Sequence, residues 1–465
     1  MSRRKLTSPS PKPVPRVRTE PVAFTIQNPH AAAVDVHTDN HVVCVGVDQV
    51  DTFGAYTDDL RAIADHFEAA GVTTVAMEST GVYWIPLYEL LEERGFEVLL
   101  IEPSRLHSNG SRPKTDVHDC QWMQRLHTFG LLKGSFRPPQ SVLALRAYHR
   151  QRQMLIRYAA KHVQHVQKAL EQMNVKLTEV LSDITGLTGS RIIQAILEGE
   201  RDGKVLAQLR SPKCAKGEAE IARALEGNWR DEHLFELRQA HELYEFHQKQ
   251  VTACDQKIEA ELAKLQDRSG DKPKPTKRKG ARKNDLRFAA TTPLFKALGV
   301  DLTAIEGISV GTALLILAEI GVDVSRFPTE KAFASWLGLC PKKGRSNLTE
   351  KKRSDRKGKN RIAQALRMCA QSVGRTMTPL GMFYRRIKSR LGGRGACTAT
   401  AHKLARLVYR LLRYGIEYVG RGTEAYAAKM REQMERSMRK KAALLGYDLV
   451  PRGEAAPTSE PMLAT

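Results

Sequence analysis

The chain has 465 residues and carries 74 Lys and Arg against 51 Asp and Glu, a formal charge of +23. That length supports two or three domains with cores of their own, and the basic excess points to a polyanionic partner. Nucleic acid comes before a membrane, because no apolar run approaches a spanning length, and seven scattered cysteines without a C-x-x-C pair support neither zinc nor a disulfide framework.

Residues 1–28 open with "MSRRKLTSPSPKPVPRVR", basic and proline-rich with no apolar core, which predicts a disordered arm rather than a secretory signal. A reducing cytoplasm is the expected compartment. Residues 29–140 read as α/β. "AAAVDVHTDNHVVCVGV" is two β-rich runs around a turn, "VTTVAMES" a third strand and "FEVLLIEP" a fourth. Between them "TDDLRAIADHFEAAG" and "WIPLYELLEERG" have helical spacing and end on glycine. A hairpin followed by strand–helix alternation is the order of an RNase H-like sheet.

Residues 141–267 turn helical. "SVLALRAYHRQRQMLIRYAAKHVQHVQKALEQM" predicts one long basic helix, in which His162 and His165 are surface histidines rather than metal ligands. Leu237, Tyr244, Val251, Ile258 and Leu265 then recur every seven residues, the spacing of a coiled-coil arm that either self-associates or folds into a hairpin. Residues 268–296 hold a basic linker or inserted loop, "DKPKPTKRKGARKND", where Lys277, Arg278 and Lys279 suit a phosphate backbone and read no bases. A merely soluble linker fits the same composition.

The mostly helical region 297–420 begins with "LTAIEGISVGTALLILAEIG", a pattern resembling a helix-hairpin-helix. Gly307 and Gly311 would let backbone N–H groups approach DNA phosphate; a plain αα-hairpin is the alternative. A C-terminal helix over 421–450 and a disordered tail over 451–465 complete the chain.

The chemistry-bearing residues are acids. In "RPKTDVHDCQWMQRL", Asp116 and Asp119 fall on the same helical side as Cys120, Met123 and Leu126, so they are expected to face the domain body. N-terminal acids that favour the helix dipole are the plainer account. Asp35 lies inside the apolar strand "AAAVDVHTD", where an unpaired acid is costly, and Glu78 ends "TTVAMES". Four carboxylates, two on strands and two on one helix, can hold divalent cations for phosphodiester chemistry, Mg2+ with Mn2+ as the alternative.

"VDVHTDNHVVCV", "AMESTGVYWIPLYELLEERGFEVLLIEPSRLH" and "KTDVHDCQWMQRLHTFGLLKGSFRPP" resemble the N-terminal DEDD domain of bacterial insertion-sequence transposases of the 110/1111 type. "RFPTEKAFASWLGLCPKKGRSN", "KNRIAQALRMCAQSV" and "TATAHKLARLVYRLL" resemble the C-terminal transposase domain of that family, in family order. The resemblance implies a RuvC-like first domain in which Asp35, Glu78, Asp116 and Asp119 match the four acids. It further implies an RNA-guided recombinase whose structured bridge RNA pairs with donor and target DNA, acting as a dimer or tetramer. Its nucleophilic serine maps onto Ser346, where Asn347 and Leu348 replace the usual paired glycines. Lys342, Lys343, Arg345, Lys351, Lys352 and Arg353 surround that serine with charge able to stabilise phosphate and alkoxide. A basic DNA-binding loop with no nucleophile is the other reading of the same residues.

The expected protein is thus α/β plus α: an RNase H-like domain, a helical coiled-coil arm and a helical transposase domain. Its rivals are a Holliday-junction-resolvase type endonuclease using only the four acids, and a non-enzymatic nucleic-acid scaffold.

Overall fold

The computed structural model describes residues 25–46, 49–106, 115–270, 283–340, 344–346, 349–351, 360–415, 428, 431–432 and 435–450. Residues 1–24 of the basic arm, the tail after residue 450, and Lys277, Arg278, Lys279, Lys342, Lys343, Lys352 and Arg353 lie outside the described residues. The chain forms two compact units, Met1–Arg137 and Pro138–Thr465.

In the first unit, β1 (Ala31–Val36), β2 (Asn40–Gly46) and β3 (Gln49–Gly54) form an antiparallel meander. β4 (Thr74–Glu78) and β5 (Glu97–Ile101) run parallel on the other side of β1, so the sheet order is β3-β2-β1-β4-β5. Strand β3 was not expected: "QVDTFG" lies at the sheet edge, is largely exposed, and lacks the apolar pattern a buried strand imposes. Helices α1 (Thr57–Ala69) and α2 (Trp84–Glu93) cover one face, where Ala32, Val34 and Val36 pack with Ile63, Phe67 and Leu91. After the single turn α3 (Pro103–Leu106), α4 (Asp116–Thr128) covers the other face, with Ala33, Cys44 and Ala76 against Cys120 and Met123. Strand parity decides which side chains meet α4.

In the second unit, α5 (Leu143–Gln172) runs antiparallel to α10 (Asp231–Lys264): Arg152 meets Asp255, while Leu170 shares a core with Leu237. Between them α6 (Leu177–Val180), α7 (Leu187–Glu198), α8 (Gly203–Gln208) and α9 (Glu218–Ala224) build a core around Ile192, Leu206 and Ile221. Leu237, Val251 and Ile258 are buried, and Tyr244 and Leu265 half-buried. An intramolecular hairpin therefore accounts for the heptads without a second copy.

The rest of this unit is α11 (Thr291–Leu298), α12 (Val310–Ile320), α13 (Glu330–Trp336), the antiparallel pair β6 (Gly344–Ser346) and β7 (Thr349–Lys351), α14 (Arg361–Val373), and α15 (Pro379–Tyr414), broken at Gly392. No helix among the described residues is long and apolar enough to cross a membrane. The helix-hairpin-helix pattern needs correction, because "LTAIE" is only a 3-10 turn, Leu302–Ala304, ahead of α12. Gly307 has φ +85°, and a Cβ there would sit 2.4 Å from Val373 Cγ2, so packing against α14 by itself accounts for the glycine. We expect Gly307→Ala to cost about 2 kcal/mol or more, from left-handed strain plus the clash. A denaturant midpoint unchanged from wild type would contradict this.

Candidate active site

The first unit gathers its acids by strand parity. Ala33 packs beneath α4, so Asp35 two residues on shares that face, and Ala76 and Glu78 repeat the relation on β4. β1 and β4 pair in parallel up to Val34 and Met77, which places Asp35 and Glu78 at neighbouring carboxyl ends. Asp35 is buried at 6 % exposure, and Glu78 is half-buried, its Oε1 accepting a hydrogen bond from Thr80 Oγ1 at 3.0 Å.

Helix α4 is fixed over this edge by polar contacts as well as apolar ones. Cys120 Sγ donates to the Val42 carbonyl at 3.2 Å, and Gln124 Nε2 donates to the Ala31 carbonyl at 3.1 Å. His127 Nε2 lies 3.0 Å from Thr74 Oγ1; burial pushes that imidazole down to about 4, so it serves as a neutral hydrogen-bonding group. At the other end Thr115 caps the helix, its side chain accepting from His118 N–H. Asp116 and Asp119 therefore sit in the first turn, at the positive end of the helix dipole.

Asp35, Asp116 and His37 each offer a ligand atom within 4.8 Å of the others. His37 Nε2 is 3.3 Å from Asp35 Oδ2 and 3.6 Å from Asp116 Oδ2. That nitrogen is enclosed yet makes no hydrogen bond. Burial pushes the Asp35 carboxyl up to about 6, with the negative charges of Glu78 and Asp116 adding to it and His37 opposing. A buried carboxylate beside two more, with an imidazole nitrogen lacking a proton partner, is a donor set that fits a divalent cation.

The geometry differs from the expectation in three ways. The Asp116 side chain is 64 % exposed, so the expected inward-facing pair is corrected: its carboxylate reaches His37 from the mouth of the site. Asp119, half-buried one turn on, contributes no atom to the cluster. The residue that sequence reasoning missed is His37. Its signal was present in "VDVHTD", since a position two beyond Asp35 keeps the same face if the extended chain continues past the strand.

Ser346 ends β6 and Lys351 ends β7, with Arg345 paired to Glu350 across the ladder. This backbone is a two-stranded ladder where a loop was expected; it belongs to the second unit and the acids to the first. Gly311 is exposed in the first turn of α12, where an added Cβ would meet only Ser309 Oγ at 3.9 Å.

Two family models match the chain. A transposase model, that of the IS110-type DEDD domain, matches residues 32–175, and a model described as "Transposase IS116/IS110/IS902 family" matches residues 301–385. The first contains all four acids and His37; the second contains Ser346. No curated protein matches the chain.

Proposed function

Because the chain belongs to the IS110 family of insertion-sequence transposases, enzymes that cut and join DNA strands, we propose that Asp35, Glu78, Asp116 and Asp119 carry that chemistry as ligands of Mg2+ or Mn2+, with Ser346 as nucleophile. The observation that carries this reading is the convergence of Asp35, His37 and Asp116 at the carboxyl end of β1. The sheet order β3-β2-β1-β4-β5, with three antiparallel strands and two parallel ones, supports an RNase H-like, RuvC-like domain.

When bound, the cation supplies positive charge against the oxygens of a phosphoryl transfer. The chain's own residues do the rest. Asp35 anchors the site from inside the sheet, and Thr80 Oγ1 donates a hydrogen bond to the Glu78 carboxylate. Thr115 caps the first turn of α4, which carries Asp116 to the mouth of the site with Asp119 one turn on. His37 Nε2 stands between the two carboxylates, 3.3 Å from Asp35 Oδ2 and 3.6 Å from Asp116 Oδ2, placed to join them as a third ligand.

The charge of +23 supports partners beyond donor and target DNA, and family resemblance makes the further one a structured bridge RNA. A dimer or tetramer is part of the same reading, on the ground of the family resemblance. The family match favours this over a resolvase that uses the four acids alone with water.

The test is cleavage of the element's own end DNA with guide RNA and Mg2+. Asp116→Asn is expected to lower cleavage at least a thousandfold, on the order of what one essential group contributes, while DNA binding stays within about twofold. Wild-type cleavage in that variant would remove the acids from the chemistry.

A further inference from the structure

The second unit holds a cavity of about 610 Å³ that none of the chemistry above uses. It is lined by α5, α12, α14 and residues 283–286. Three kinds of surface meet in it. Leu314, Leu315 and Met368 give an apolar wall, and Met368 is 65 % exposed where a solvent-facing residue of α14 has no need to be apolar. Arg157, Lys283 and Arg361 bring positive charge to the same cavity. Ser309, Gly311 and Thr312 add the N-terminus of an eleven-residue helix.

Two observations point to a ligand rather than to a solvated crevice. His149 lines the cavity, is 2 % exposed, and its Nδ1 has no hydrogen-bond partner, which a buried polar atom rarely tolerates. The charge beside it is only partly compensated, although Asp285 lines the cavity and Lys283 pairs with Asp183 at 2.8 Å. Arg146, Arg150 and Arg361 all converge on one carboxylate, Glu319, at 3.1, 2.8 and 3.9 Å, and Arg157 has no carboxylate partner among the described residues.

These features differ in what they suit. Burial, with Arg152 nearby, pushes His149 down to about 4, so its ring is neutral at physiological pH and offers a hydrogen bond to a neutral polar edge, not to an anion. The arginines and the helix N-terminus suit phosphate. The apolar wall suits a flat heterocycle. Phosphate, polar edge and flat apolar face occur together in a nucleotide. Bases in a duplex are stacked and cannot enter a concavity, so the nucleotide must be unpaired.

We infer that this cavity captures one unpaired nucleotide of a nucleic-acid strand, its base between Leu315, Met368 and His149 and its phosphate toward Arg157 and Arg361. The inference rests on the reading of the chain as a DNA-joining enzyme and deepens it by naming a single-strand site. A deoxyribose and a ribose strand share the recognised chemistry.

The experiment uses the full chain and needs no cleavage, so it stands apart from the Asp116→Asn assay. Single-stranded oligonucleotides carrying thiothymidine or thiouridine are photocrosslinked, and anisotropy is measured for the same strands and for a duplex. Crosslinks are expected in the α12 or α14 peptides that contain Leu315 and Met368. A deoxy-only, ribo-only or shared crosslink assigns the strand to DNA, RNA or either, and each supports the site. His149→Phe is expected to weaken single-strand binding about tenfold, the effect of one lost base contact, with duplex binding within twofold. Arg157→Ala, at an exposed position, should weaken single strands by a similar factor and guards against misfolding of the buried variant. Bound strands that crosslink only outside these peptides would overturn the proposal. So would an equal loss of duplex and single-strand binding in Arg157→Ala, which is ordinary backbone attraction.

Discussion

Asp35→Asn is expected to abolish strand cleavage and, in the same molecule, to stabilise the metal-free protein at pH 7. The Asp35 carboxyl is pushed up from 3.8 to about 6, first by burial and then by Glu78 and Asp116. A carboxyl with a raised folded pKa holds its proton more tightly when folded. Its stabilising share is present in full below about pH 3.8, declines as pH rises, and is gone above about pH 6. At pH 7 the protein therefore folds around a buried charge at a cost of about 3 kcal/mol, taking 1.36 kcal/mol per pH unit. Asparagine cannot ionise, so the variant escapes that cost at pH 7 and gains nothing at pH 3.5. The sign reverses when Mg2+ is added: a cation that binds only the folded state stabilises wild type and has little hold on the variant. Calorimetry of the full chain at the two pH values, with and without Mg2+, checks both halves. An Asp35→Asn protein that is no more stable at pH 7, or that responds to Mg2+ like wild type, would sink the account.

Ser346→Ala is expected to eliminate a covalent protein–DNA adduct while leaving DNA binding in place. The step forms a bond from Ser346 Oγ to phosphorus and breaks the phosphorus bond to one deoxyribose oxygen. The serine proton is lost to solvent or a nearby base, and the departing oxygen takes up a proton. The phosphoester bond energy is kept in the adduct, so rejoining needs no nucleotide cofactor; the sequence has no G-x-x-x-x-G-K-[ST] loop. A serine hydroxyl is a weak nucleophile, and in the proposed step Lys343, Arg345 and Lys351, close to it in sequence, would supply charge for the developing oxyanion. The assay is a denaturing gel with guide RNA, Mg2+ and nicked DNA, read before and after protease. Wild type should give a protease-sensitive adduct, Ser346→Ala none, and Ser354→Ala, a control in the same basic segment, the wild-type amount. Retention in Ser346→Ala with loss in Ser354→Ala identifies the other serine as the nucleophile. No adduct from any variant leaves hydrolysis by the four acids as the better chemistry.

The sequence by itself determined the features whose pattern has the period of their own element. "AAAVDV" and "TTVAME" are near-continuous apolar runs, the mark of strands buried on both faces, and each carries one acid toward its carboxyl end; the β1–β4 pairing then sets both acids on the α4 face. The seven-residue repeat of Leu237, Val251 and Ile258 likewise required a helical partner, and α5 fills that role. Which partner was not legible, because a heptad specifies a complementary surface and not the chain that bears it. Strand β3 escaped notice because an exposed edge strand imposes no apolar pattern.

Only the tertiary structure decided the composition of the two sites. It brought His37 between Asp35 and Asp116 and left Asp119 outside the cluster, a matter of how α4 docks on β1 through Cys120 and Gln124. It also joined His149, Arg157, Leu315 and Arg361 around one cavity, although they come from three helices far apart in sequence. Periodicity fixes which way a side chain points from its own element. Distances between elements depend on how the elements pack, and a linear pattern does not carry them.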